Sequence, residues 1–198
     1  MEIDMRVSVL GTSGCGKSTF ARRLAGAIGA PHVELDAINR QPGWRDLDTH
    51  DPEQFVRRVG DAVAADAWVS DGNYGRIRDI VLARATHLVW LDYPRPVIMA
   101  RVLRRSFVRA LTHRELWPGT DNREEFARWL SKEHPIRWAW DTYHDRRRRF
   151  EALFEDPRAA HTARYRLRRP AEAEPLLRTL AGEAAGNHWQ LATRIAGR

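Results

Sequence analysis

Eight consecutive residues constrain this chain more than any other feature: Gly11-Thr12-Ser13-Gly14-Cys15-Gly16-Lys17-Ser18. They follow a short β-type run, Met5-Arg6-Val7-Ser8-Val9-Leu10, and precede a helical pattern in which Phe20, Leu24 and Ile28 recur at four-residue spacing until Gly29 and Pro31 close it. A strand, a G-x-x-x-x-G-K-[ST] loop and a helix in that order make a phosphate cradle. Glycines let the backbone wrap a phosphate with its N–H groups inward, and the helix adds the positive end of its dipole. Lys17 then bridges β- and γ-phosphates, and the Ser18 hydroxyl is suited to Mg²⁺. The candidate nucleotide contacts are therefore Gly11, Thr12, Ser13, Gly14, Cys15, Gly16, Lys17, Ser18 and Thr19. Cys15 lies at a helix N-terminus, where a thiol pKa tends to fall. It reads either as a redox-active thiol or, in preference, as a small residue contributing its backbone N–H.

The remaining pattern extends this unit. His32 to Leu35, Trp68 to Ser70, His87 to Leu91 and Arg164 to Leu167 read as further strands. Between them lie helical segments. One opens at Asp51-Pro52-Glu53-Gln54, with an N-cap aspartate, proline at the first helical position and Phe55, Val56, Val59 and Val63 as its buried stripe. Others run from Pro94 to about His113, from a capping box at Asp121 and Glu124 to about Lys132, from Pro135 to about Glu155, and from Pro170 to Leu180. Strands alternating with helices imply βαβ units and a three-layer α/β fold around a parallel sheet. The expected organisation is one domain over residues 1–183, with a strand-free excursion at about 104–136, and a weakly ordered tail at 184–198.

Composition narrows the class. The chain has 198 residues, 43% hydrophobic and 30% charged, enough for a core without disulfides. A single cysteine excludes a disulfide framework and a cysteine-rich zinc site. With no long apolar run and no signal-peptide pattern, the expectation is a cytoplasmic protein with no membrane partner, a monomer or homodimer. The net charge is +7, but residues 76–169 alone carry 22 basic against 12 acidic groups. An anionic partner is implied there: a nucleotide, a phosphorylated small molecule or, as a lesser alternative, nucleic acid. Only Lys17 and Lys132 are lysines, so arginine abundance is a compositional habit and no single arginine stands out for being one.

Guanine-specifying N-K-x-D is absent, which argues against a GTPase. Several further pieces can be quoted: Leu35-Asp36-Ala37 with Gln41-Pro42-Gly43-Trp44, Ser70-Asp71-Gly72-Asn73-Tyr74, Leu91-Asp92-Tyr93-Pro94, Arg101 with Arg104 and Arg105, and Arg137-Trp138-Ala139-Trp140 followed by Arg146 to Arg149. Together with the phosphate loop, they resemble the adenylate-kinase-like P-loop kinases, and most nearly the bacterial topology modulation (FlaR-like) group. The resemblance spans about residues 5–180. It implies a P-loop NTPase fold with a central five-stranded parallel sheet and a helical lid insertion. It also implies an ATP-dependent kinase, a phosphotransferase using ATP and Mg²⁺ on a small-molecule, nucleoside or nucleotide acceptor.

The resemblance also suggests roles. Asp71, ending the strand beside the phosphate-loop strand, would join Ser18 in serving the metal; Asp92 is a second candidate. Asp36 follows the second strand, where similar kinases acting on hydroxyls place a proton-accepting carboxylate, although a turn aspartate is the plainer account. Trp44, Asp71 and Tyr74 would lie near the acceptor, the aromatics stacking on it or packing in the core. Arg101 and Arg105, four apart on one helical face, together with Arg123 after the Trp117-Pro118-Gly119 break, would clamp the transferred phosphoryl group. A nucleotide-binding regulator or nucleic-acid-binding protein without kinase activity remains the alternative.

Overall fold

A computed structural model describes residues 4–112 and 135–196. Five strands form one parallel sheet: β1 (Arg6–Gly11), β2 (His32–Glu34), β3 (Trp68–Asp71), β4 (His87–Leu91) and β5 (Ala163–Leu167). Their spatial order is β2-β3-β1-β4-β5. The chain leaves β1 for one edge of the sheet and later crosses back to the other. β1 is thus central, and its carboxyl end opens the crevice where open α/β sheets bind ligands.

Residue alternation decides the layers. Val7 and Val9 of β1, Val69 of β3, and Val89 and Leu91 of β4 enter a core with Phe20, Leu24 and Ile28 of α1 (Lys17–Ile28), Ile98 and Val102 of α6 (Arg95–Thr112), and Leu177 and Leu180 of α8 (Ala173–Ala196). Leu10, Trp68, Leu88 and Trp90 face the other way. They pack with Phe55 and Val59 of α4 (Pro52–Ala62), Val81 and Leu82 of α5 (Arg78–Arg84), and Phe150 and Leu153 of α7 (Pro135–Glu155). Strands buried on both faces account for their near-continuous apolar runs. Two short helices, α2 (Leu35–Asn39) and α3 (Leu47–His50), follow β2.

The expected capping holds at α4, where the Asp51 side chain accepts from Gln54 N–H at 3.0 Å. Two expectations need correction, and one helix, α5, had none. Leu35 begins α2 rather than ending β2, because its side chain is buried against the core as the chain turns at Glu34. Residues 78–84 form α5, a helix of seven residues, too short to leave a clear periodic pattern in the sequence. The last helix does not stop near Leu180 but continues to Ala196, since the alanine-rich stretch favours helix enough to carry Gly182 and Gly186. The helix expected from Asp121, the Trp117-Pro118-Gly119 break, Arg123 and most of the 104–136 excursion lie outside the described residues.

Candidate active site

The carboxyl edge of the sheet gathers the candidate residues. The loop after β1 turns through left-handed backbone at Gly14 (φ 86°) and Gly16 (φ 101°). A Cβ on Gly14 would stand 2.1 Å from Val102 Cγ2, so α6 packs directly behind the loop and fixes its curl. Lys17 Nζ donates to Thr12 O at 3.2 Å. Arg101 Nη1 donates to Cys15 O at 2.7 Å, and its guanidinium lies 5.2 Å from the Tyr93 ring centroid. The first expected arginine therefore does reach the phosphate loop. Arg105 follows one helical turn later on the same helix. Cys15 is fully buried, and that burial pushes its thiol above the ordinary value despite nearby Lys17.

Ser18 Oγ donates to Asp71 Oδ1 at 2.9 Å. Asp71 is 1% exposed and pairs across the sheet with Val9 of β1. A hydroxyl and a carboxylate placed together beside a phosphate loop are the hard oxygen donors that Mg²⁺ takes, so these residues fit the metal. Thr12 Oγ1, buried in the same loop without a hydrogen-bond partner, marks a further polar group that a phosphate could satisfy. Asp92 also sits on this edge but is engaged otherwise. Arg147 Nε donates to its Oδ1 at 2.8 Å, and Arg166 Nε and Nη2 donate to Oδ2 at 2.9 and 2.7 Å. Of the two candidates, only Asp71 touches Ser18.

Asp36 stands in the first turn of α2. The Tyr74 hydroxyl donates to its Oδ1 at 2.6 Å, and Asn39 Nδ2 donates to the Tyr74 oxygen at 3.2 Å. Asn39 is itself buried and accepts from Asp48 N–H at 2.7 Å, which ties α2 to α3. Burial, reinforced by the Asp36 carboxylate, pushes the Tyr74 phenol far above its ordinary value, so it stays protonated and donating. The Tyr74 ring meets Phe55 edge-on at 5.0 Å between centroids, anchoring it on the α4 core. Gly72 (φ 130°) permits this approach, because a Cβ there would meet Leu35 Cβ at 2.6 Å. Asn73 Nδ2 donates to Gly11 O at 2.7 Å, so the Asp-Gly-Asn-Tyr element links the phosphate loop to the Asp36 cluster. Trp44 lies in a short helical turn, Pro42–Trp44, of the same connection.

Two residues were not singled out in the sequence. Arg146 of α7 is partly buried among the Asp36 and Tyr74 side chains; burial lowers its guanidinium pKa and both neighbours act against that. Four consecutive arginines hide which one points inward. His32 of β2 places Nε2 2.7 Å from Asp71 Oδ2. A lone histidine opening a strand carries no local signal.

No protein-family model matches the chain, and no curated protein matches it. Solved structures do. Shikimate kinase from Acinetobacter baumannii, in complex with shikimate, aligns at TM-score 0.50 and 17% identity over 91% of this chain and 93% of that one. The fold is the P-loop NTPase fold. A gluconokinase from Sinorhizobium meliloti aligns at TM-score 0.49 and 18% identity over 98% and 99% of the two chains. A sugar kinase from Janibacter gives 0.46 and 20%, covering 91% of each. Among the described residues, no helix is long and apolar enough to cross a membrane.

Proposed function

We propose that this protein is an ATP-dependent kinase that transfers the γ-phosphoryl group to a hydroxyl of a small acceptor bound beside Asp36. One observation carries this reading: the phosphate loop with its Ser18–Asp71 contact and the Asp36–Tyr74 pair share one edge of one sheet, joined through Asn73. A phosphate acceptor is already anionic and needs no proton acceptor, whereas a hydroxyl gains from one.

The residues then divide the work. The loop amides and Lys17 hold the β- and γ-phosphates, and Lys17 follows the γ-group as charge shifts toward it. Mg²⁺, held by Ser18 and Asp71, would neutralise charge on the phosphates. Tyr74 keeps its proton and grips Asp36 Oδ1, which leaves Oδ2 to take the proton from the acceptor hydroxyl. Arg146, beside this pair, would bind a negative group on the acceptor. Arg101 and Arg105 would contact the transferred group from α6, with Arg123 from the lid. Placement within the topology modulation group rests on the Pro-Gly-Trp and Asp-Gly-Asn-Tyr elements alone.

The nucleic-acid alternative is weakened by what the basic stretch does. Arg147 and Arg166 hold Asp92, Arg158 bridges Asp79 and Asp156, and Arg148 and Arg169 pair with Asp145 and Glu172. These five arginines are paired locally, so they contribute less to a phosphate-binding face than their number suggests. A screen of hydroxylated metabolites for ADP release tests the proposal. Turnover that requires one acceptor supports it. Salt-sensitive RNA or DNA binding, with no acceptor raising ADP release, would replace it with the alternative.

A further inference from the structure

The Asp71 carboxylate faces a neighbouring strand that treats its two oxygens differently. In the parallel pairing of β2 with β3, Glu34 lies in register with Asp71, and His32 lies two residues earlier on the same face of β2. Both side chains point toward α1, the helix that begins with Lys17 and Ser18. Val33, between them, points into the opposite core. Asp71 therefore has a carboxylate beside it on one hand and an imidazole on the other. Burial and the Asp71 charge raise the Glu34 carboxyl, the mark of two carboxylates held close together. His32 Nε2 reaches Asp71 Oδ2 at 2.7 Å, while Oδ1 receives Ser18 Oγ at 2.9 Å. Through this contact the imidazole fixes the rotation of the Asp71 carboxylate.

We propose that His32 is the positioning residue of the phosphate-loop metal site: by holding Oδ2 it fixes Asp71 with Oδ1 directed at Ser18. This rests on the reading of Ser18 and Asp71 as the metal-binding pair. The physical need is specific. Asp71 closes the end of a strand beside like charge on Glu34, and a carboxylate free to rotate would lower that repulsion by turning away from its register partner. The imidazole offsets the repulsion from one side and leaves a single oxygen presented to the loop. Partners of this kind, which orient a ligand without touching the metal, typically contribute about 10–100-fold in metal affinity.

The test compares two polar replacements at one position. Glutamine can place an amide N–H near the position of Nε2, whereas asparagine stops short of Asp71. Mn²⁺ binding to the full chain saturated with ADP is followed by electron paramagnetic resonance, and metal-free ADP affinity by calorimetry. The expected result is that His32→Asn weakens Mn²⁺ binding by about 10-fold or more, His32→Gln stays within about threefold of the parent, and metal-free ADP affinity is unchanged in both. Equal Mn²⁺ affinity in all three proteins overturns the proposal, as does an equal loss in His32→Gln and His32→Asn. A parallel loss of metal-free ADP binding also overturns it, because the effect would then belong to the loop as a whole. An unsubstituted protein that binds ADP but no Mn²⁺ removes the Ser18–Asp71 metal reading itself, and the role of His32 with it.

Discussion

The two halves of the candidate site are built differently. The proposed donor half is one continuous segment, residues 11–19, whose candidate ligating groups are mostly backbone amides held in shape by glycine conformations and by α6 behind Gly14. The proposed acceptor half is a set of side chains, Asp36, Asn39, Tyr74 and Arg146, from three separate stretches of chain, brought together by hydrogen bonds and burial. A backbone cradle tolerates change at most side chains and fails at few. A side-chain cluster has no such redundancy, and in the proposed reading each member carries a distinct part of the chemistry. Substitutions should expose that contrast.

The largest effect is expected at Lys17, the one loop side chain with a charge. Lys17→Ala should cut kcat/KM by about 10³-fold or more, because the contact strengthens as the phosphoryl group moves. The melting curve should be unchanged; a variant binding and turning over ATP normally would break the donor half of the comparison. Next comes Asp36→Asn, expected to lower kcat by at least about 10²-fold with ATP affinity preserved. Unchanged kcat with a raised KM would instead sharpen the acceptor toward a phosphate.

Asp71 and Asp92, two acids on one edge, separate metal binding from stability. Asp71→Asn should raise the Mg²⁺ concentration needed for turnover. Asp92→Asn should leave it alone and lower stability by about 2 kcal/mol, since the arginine pair loses a charged acceptor. The reverse pattern in Mg²⁺ titrations and urea melts would exchange their roles. Tyr74→Phe should lower kcat by only about tenfold, because it orients Asp36 without exchanging a proton; a loss as large as that of Asp36→Asn would make the phenol a direct participant. Smallest is the Cys15 effect. Its buried thiol has a raised pKa, so less thiolate exists at neutral pH than for an ordinary cysteine, and reactivity grows only at more alkaline pH. Alkylation should be slow at pH 7 and Cys15→Ala nearly silent; rapid labelling at pH 7 would reopen the redox reading.

The strand–loop–helix pattern at residues 6–28 and the fold class were legible because their determinants are local. A phosphate loop needs particular residues at fixed spacing, and buried parallel strands need apolar runs, so both leave marks along the chain. The α4 cap at Asp51 belongs to the same category. The short α5 and the continuation of α8 to Ala196 were not legible, because a seven-residue helix and an alanine-rich extension present little periodicity to read.

What the sequence determined by itself was a β-loop-α phosphate cradle within a parallel α/β sheet, and a shortlist of acids on strand ends. Only the tertiary structure decided among them. It gave Asp92 to Arg147 and Arg166, Asp71 to Ser18 and His32, and Asp36 to Tyr74. The physical reason is that a side-chain hydrogen bond depends on distance across neighbouring strands and helices. In a sheet ordered β2-β3-β1-β4-β5, those neighbours come from 38 to 74 residues away along the chain.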